Sequence, residues 1–234
     1  VSLPAHVALC GCGTLVRTMI SIPYLICSIL SFVPAIVCHE ACHGFAAYKL
    51  GDPTAKRAGR LSFNPLKHID PFGTVIMPLL LMAMNMPVFG YAKPVPRKGD
   101  LIVGLAGPAA NLVLAVLGAA VYTLVMLVLP VNALAQNEVF YYFLTLFLPM
   151  FSLINLYLMF FNLLPIQPLD GSSIFAFFLP QKYLPQYYKA QRYAFPIFMI
   201  AVILVPYVLR FNPIGIYLDV TAGTLFTVLF SFAG

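Results

Sequence analysis

Cys38-His39-Glu40-Ala41-Cys42-His43 lies inside the apolar stretch from Ile20 to Leu50, and its reading decides the fold of the whole chain. Its core has the pattern H-E-x-x-H. On a helix, residues four apart share a face, so His39 and His43 can aim imidazole nitrogens at one point. That spacing offers two ligands to a zinc ion, and Glu40 beside them suits a general base. The pair is incomplete by itself, because a catalytic zinc takes three protein ligands and one water. A polar helical face turned to solvent would carry the same four-residue spacing. Here the flanks, Leu25 to Val37 and Gly44 to Tyr48, are nearly all apolar. Ionisable groups in a membrane-length apolar run are costly and point to function.

Composition agrees with a membrane setting. Of 234 residues, 62% are hydrophobic and 9% charged, with a mean hydropathy of +0.94. A soluble globular domain carries about a quarter charged residues, so that class is excluded. The expected fold is an all-α polytopic membrane protein forming one domain over residues 1–234. About five spanning helices are expected, with a re-entrant segment and a small membrane-associated β-hairpin. The net charge of +6 does not point to nucleic acid, because the basic residues sit in short loops between apolar runs, as the positive-inside rule places them. The cysteines at 10, 12, 27, 38 and 42 form no disulfide framework and read as packing residues. No separate cleavable leader is expected, since the first apolar run continues into the His39 helix.

The first span is expected from Arg17 to Lys49, long enough to cross with some tilt. The loop from Gly51 to Pro71 carries Lys56, Arg57, Arg60 and Lys67 and should face the cytoplasm. Arg60 to Phe63 and Val88 to Ala92 could pair as strands. Phe72 to Met84, between them, is too short to span and reads as re-entrant. Leu101 to Leu129 is a clear span whose Gly104, Gly107 and Ala110 permit close helix contact, and whose Asn111 needs a partner. Phe140 to Leu164 crosses back to the basic face. Tyr193 to Leu209 and Ile214 to Phe232 follow as two more spans. The catalytic core is expected over about residues 17–180, with C-terminal helices over about 190–232.

This topology allows a search for the missing ligand. His39 and His43 lie near the cytoplasmic end of the first span. The helix from Phe140 to Leu164 ends on the same side, and Asp170 follows just beyond it. Glu40 and Asp170 are the acidic residues most deeply enclosed by apolar sequence. Asp170 could simply cap a helix beginning at Gly171, but an H-E-x-x-H at matching depth makes it the third zinc ligand.

With these motifs in hand, the chain resembles the site-2 protease family of intramembrane zinc metalloproteases, peptidase family M50. His39-Glu40-Ala41-Cys42-His43 carries the resemblance together with Asn162-Leu163-Leu164-Pro165 through Asp170-Gly171. Supporting stretches run from Leu50-Gly51-Asp52-Pro53 to Gly59-Arg60-Leu61 and from Asn64-Pro65 to Phe72-Gly73. Ala92-Lys93-Pro94-Val95 and Ala106-Gly107-Pro108 with Asn111 also match. The likeness covers roughly residues 33 to 180 and is to the compact bacterial and archaeal branch without PDZ or CBS domains. It implies that His39, His43 and Asp170 bind Zn2+ and that Glu40 is the catalytic acid/base. It further implies that Asn162 contacts the substrate carbonyl or the oxyanion, and that the strands near Leu61 and Tyr91 pair with an unwound substrate. Gln167 stands where this branch commonly has a second proline, which should alter the stiffness of the turn and not the ligand set. His68 reads as a structural hydrogen-bonding residue of the polar loop, and Asn111 as an interhelical hydrogen bond.

The implied reaction is hydrolysis of a transmembrane protein substrate near the cytoplasmic face of the lipid bilayer of the cell membrane, with a polar cavity bringing water to the metal. Two non-proteolytic readings compete. A transporter or channel would spread its polar residues along several helices, whereas here they cluster at one depth. A catalytically silent relative would have no need of Glu40.

Overall fold

A computed structural model describes residues 22–57, 59, 61, 62, 64, 97–128 and 137–233. In chain order, α1 is Ile22–Lys49, α2 the short Thr54–Arg57 and α3 Arg97–Val128. α4 is the continuous helix Val139–Asn162, which widens to a π-turn over Phe143–Phe147. α5 is Gly171–Phe178 and α6 Leu184–Leu209. α7 is Pro213–Phe230, with a second π-turn over Asp219–Gly223.

Among the described residues, four helices, α1, α3, α4 and α7, are long and apolar enough to cross a membrane. At 1.5 Å per residue α1 is about 42 Å long, more than the roughly 30 Å of a bilayer's hydrocarbon core. Tyr193 to Leu209, expected as a further span, forms the second half of α6. α6 starts well before that run, so Lys189 and Arg192 are helical. The proposed strands find no counterpart among the described residues: Leu61 and Ser62 form bends, while Arg60, Phe63 and residues 88–92 lie outside them. The re-entrant run from Phe72 to Met84 and the loop residue His68 also lie outside.

The polarity of the bundle is inverted relative to a soluble protein. On α1, Ile22, Leu25, Ile26, Ile29, Leu30 and Phe32 are exposed. Its buried face is the i, i+4 row Cys27, Ser31, Ala35, His39, so the first imidazole continues a ridge of small side chains. α3 answers with Gly104, Gly107, Asn111 and Ala115, all buried at helical spacing. α4 contributes Ser152, Asn155, Leu156 and Met159. Small residues let three backbones approach closely where lipid gives helices no hydrophobic reason to associate. The Ser152 hydroxyl donates to the Ala115 carbonyl at 3.0 Å, tying α4 to α3. Below it, Leu156, Met159, Ala115 and Ala222 form the apolar core that α7 joins.

Candidate metal centre

His39 and His43 lie on the inner face of α1, two to three turns before its basic C-terminal end at Lys49. Asp170 reaches them from the turn between α4 and α5. The turn Leu163 to Leu169 reverses the chain after α4, through a cis peptide bond between Gln167 and Pro168. It delivers Asp170 to the residue before α5. Asp170 occupies the cap position of that helix, yet its carboxylate makes no capping hydrogen bond. It faces the imidazoles instead. The competing sequence reading, a plain helix cap, is therefore not what the side chain does.

The geometry is a near-equilateral triangle. His39 Nε2 and His43 Nε2 are 3.0 Å apart, and Asp170 Oδ2 lies 3.1 Å from the first and 3.2 Å from the second. His39 is buried, and His43 and Asp170 are mostly so. Burial pushes the Asp170 carboxyl up, but hydrogen bonds from the two imidazoles, acting as N–H donors, and their positive charge outweigh that and hold it below the ordinary carboxylate range.

The outer nitrogens decide what the inner ones can do. His43 Nδ1 lies 2.7 Å from the Val103 carbonyl oxygen, and His39 Nδ1 lies 2.6 Å from Asn111 Oδ1. Both partners are acceptors, so each Nδ1 must carry the hydrogen. When both rings are neutral, each turns a bare Nε2 inward. Two nitrogen lone pairs and a carboxylate oxygen converge within about 3 Å, an arrangement that repels unless a cation sits among them. A tetrahedral zinc with bonds of about 2.0–2.1 Å holds its ligand atoms about 3.3–3.4 Å apart. The triangle needs to open by only a few tenths of an ångström. Donor type, spacing and protonation all fit zinc.

Glycines make the approach possible. A Cβ on Gly107 would stand 2.3 Å from His43 Nε2 and 2.6 Å from His39 Nε2. Only a residue without a side chain lets α3 pass behind the two rings. At Gly171 a Cβ would meet the Leu163 and Leu164 carbonyls at 2.2 and 2.4 Å. The Asp-Gly pair therefore lets the turn fold tightly under α5 while Asp170 points inward.

Glu40, the proposed base, is exposed one residue from His39. Asn162, at the end of α4, donates to its own helix at the Leu158 carbonyl, 3.0 Å away. The structure thus joins His39, His43 and Asp170 in one cluster. A cavity of about 300 Å³ runs from His43 and Asp170 past Val103 and Gly104 to Asp52 and Asp100. Those acids stand where α1 ends and α3 begins.

Sequence reasoning missed two supports. Gln191 of α6 accepts from the Gln167 backbone N–H at 2.8 Å and donates to the Pro165 carbonyl at 2.8 Å. Nearby, the Tyr187 hydroxyl donates to the Ser172 carbonyl at 3.0 Å. These contacts clamp the Asp170 turn from outside, and no local pattern in α6 announces them. Asn155 is the other omission: it donates to the Phe151 carbonyl and accepts from Asn111. Its signal was present, since a polar side chain in the middle of an apolar span requires an explanation.

Comparison with known proteins follows the same lines. The model for peptidase family M50 matches residues 124–205, which include Asn162 and Asp170. A Bacillus subtilis protein provisionally named zinc metalloprotease YwhC is 34% identical over 204 residues, 83% of each chain. Two proteins provisionally named zinc metalloprotease Rip2 are also similar. The one from Mycolicibacterium smegmatis is 34% identical over 108 residues, 44% of this chain and 42% of its own. The one from Mycobacterium tuberculosis is 31% identical over 149 residues, 61% of this chain and 53% of its own. No solved structure matches the chain significantly. With membrane-length helices, the His39–His43–Asp170 triangle and a relative alike over most of both sequences, the chain belongs to peptidase family M50.

Proposed function

We propose that this chain is a zinc-dependent intramembrane endopeptidase of the cell membrane that cuts transmembrane segments of protein substrates near the cytoplasmic face. The observation that carries the reading is the inward-facing triangle of two Nε2 atoms and one carboxylate oxygen, with both Nδ1 positions already engaged. His39, His43 and Asp170 hold the metal. When bound, zinc acidifies water and polarises a carbonyl.

The remaining steps belong to the chain. Glu40, exposed beside His39, takes a proton from the attacking water and later delivers it to the leaving amine. Asn162, on the same side of the bundle as Asp170, turns its amide from the Leu158 carbonyl to the substrate carbonyl as the scissile bond arrives. The cavity from His43 to Asp52 and Asp100 supplies water from the polar side, so the bilayer need not be breached. The substrate must be locally unwound, because a helical peptide bond is shielded by its own hydrogen bonds.

The test is cleavage of a panel of single-span proteins by purified protein in lipid. Glu40→Gln should keep one zinc per chain and lose cleavage, and Asp170→Ala should lose the zinc. Undiminished cleavage by Glu40→Gln would remove the assignment. Metal or proton flux that persists in Glu40→Gln, with no cleavage by the parent protein, would favour a transporter instead.

A further inference from the structure

We propose that Asn111 and Asn155 are positioning residues that fix His39 as its Nδ1–H tautomer and so commit its Nε2 lone pair to the metal. The inference rests on the zinc reading above. It concerns residues that touch neither substrate nor metal.

Both amides are fully buried, in α3 and α4, where an unpaired polar group is costly. Their hydrogen bonds form one directed chain. Asn155 Nδ2 donates to the Phe151 carbonyl at 2.8 Å. Its Oδ1 accepts from Asn111 Nδ2 at 2.9 Å. The other Asn111 Nδ2 hydrogen goes to the Ala35 carbonyl at 3.2 Å. What remains of Asn111 is Oδ1, which receives His39 Nδ1–H at 2.6 Å.

The direction cannot be reversed. Phe151 and Ala35 present backbone carbonyls, which accept and never donate. Turning either asparagine over would set oxygen against oxygen, twice in the case of Asn111. The two carbonyls therefore define which end of each amide is which, and the chain carries that polarity to the imidazole. If His39 took the other tautomer, Nδ1 and Oδ1 would be two acceptors 2.6 Å apart, and an N–H would point at the metal position. His43 needs no such device, because its Nδ1 faces the Val103 carbonyl directly. His39 is the ligand whose protonation state depends on replaceable side chains. Partners of this kind change metal affinity by about 10–100-fold when removed.

The test uses full-length protein in lipid nanodiscs, with histidine ring nitrogens labelled for solid-state NMR and zinc affinity measured against a competing chelator. In metal-free parent protein, at a pH high enough for both rings to be neutral, His39 should carry its hydrogen on Nδ1, and His43 likewise. Asn111→Leu should mix the His39 tautomers, leave His43 unchanged and weaken zinc binding about 10–100-fold. Asn155→Leu, which leaves the Ala35 carbonyl in place, should show the same signature with a loss nearer 10-fold. The His43 signal reports that the bundle is intact, so a misfolded variant is recognised and the milder one decides. In the cobalt-loaded protein the visible absorption of the Asn111→Leu variant should shift. A parent protein whose neutral His39 carries its hydrogen on Nε2, or Asn variants with parent tautomer and parent affinity, would overturn the proposal. Failure of the parent to bind zinc would instead defeat the functional reading, while the metal-free spectrum still reports on the amide chain.

Discussion

The imidazoles and the carboxylate of the triangle are held in different ways. His39 and His43 extend from a 28-residue helix and are fixed by groups inside the bundle: Asn111, the Val103 carbonyl and Gly107. Asp170 comes from a turn and is fixed from the bundle's edge, through the Gln191 clamp on Pro165 and Gln167 and the Tyr187 hydroxyl on Ser172. One half of the site is a property of close helix packing. The other half is a property of a loop whose shape another helix imposes. The metal is the point where the two constructions have to agree.

The contrast is most severely tested by Gly107→Ala. The added methyl falls within 2.6 Å of both rings, and neither ring can move without leaving its Nδ1 partner. Zinc should be lost or bound out of place, with cleavage reduced by at least about 10²-fold, the usual consequence of an ångström-scale misplacement. Zinc content after gel filtration and cleavage of a single-span substrate measure this. An alanine variant with parent zinc content would show that the packed half is looser than its distances suggest.

Gln191→Leu tests the other half. The leucine fills the space but leaves the Gln167 N–H and the Pro165 carbonyl without partners, at about 1–3 kcal/mol for each buried group. Zinc affinity should fall about 10-fold while the His39 and His43 ring signals stay as in the parent. A change in the rings would mean that the two halves are not separable.

The smallest effect is expected beside the site, at Asp52. Its carboxylate accepts from the Thr54 N–H at 2.9 Å and from the Thr54 hydroxyl, and these bonds hold its carboxyl below the ordinary range. A group whose pKa is depressed on folding contributes stability above its unfolded value, near pH 3.9, and loses it as pH falls through the folded value. Asp52→Asn should therefore flatten the decline in thermal midpoint below about pH 4 and leave zinc binding unchanged. Asp52 is fully exposed, so a shift of more than a few degrees would contradict its peripheral role.

The same division explains what could be read from the sequence. The packed half was legible because helical periodicity is local: four-residue spacing placed His39 and His43 on one face, and Gly104, Gly107 and Ala110 marked a helix built for close contact, with Asn111 needing a partner. Asp170 was found by depth and charge, since few acids lie so far within apolar sequence. The supports of Asp170 could not be found this way. Gln191 lies more than twenty residues after the turn it clamps, and it binds backbone atoms, which leave no trace in residue identity. Helix boundaries were misplaced where polar residues continued a helix, as Lys189 and Arg192 do in α6. The second proposed strand, Val88 to Ala92, and His68 fall outside the described residues.

The inverted polarity of the bundle has a practical side. What this molecule shows to lipid is interchangeable grease, Ile22, Leu25, Ile29 and their neighbours, and repainting that exterior with lysine and glutamate is the natural route to a water-soluble version. The ordinary engineer's habit of replacing interior amides with leucine would do the opposite. It would keep the same outline, and at Asn111 and Asn155 that change would loosen the hold on the metal.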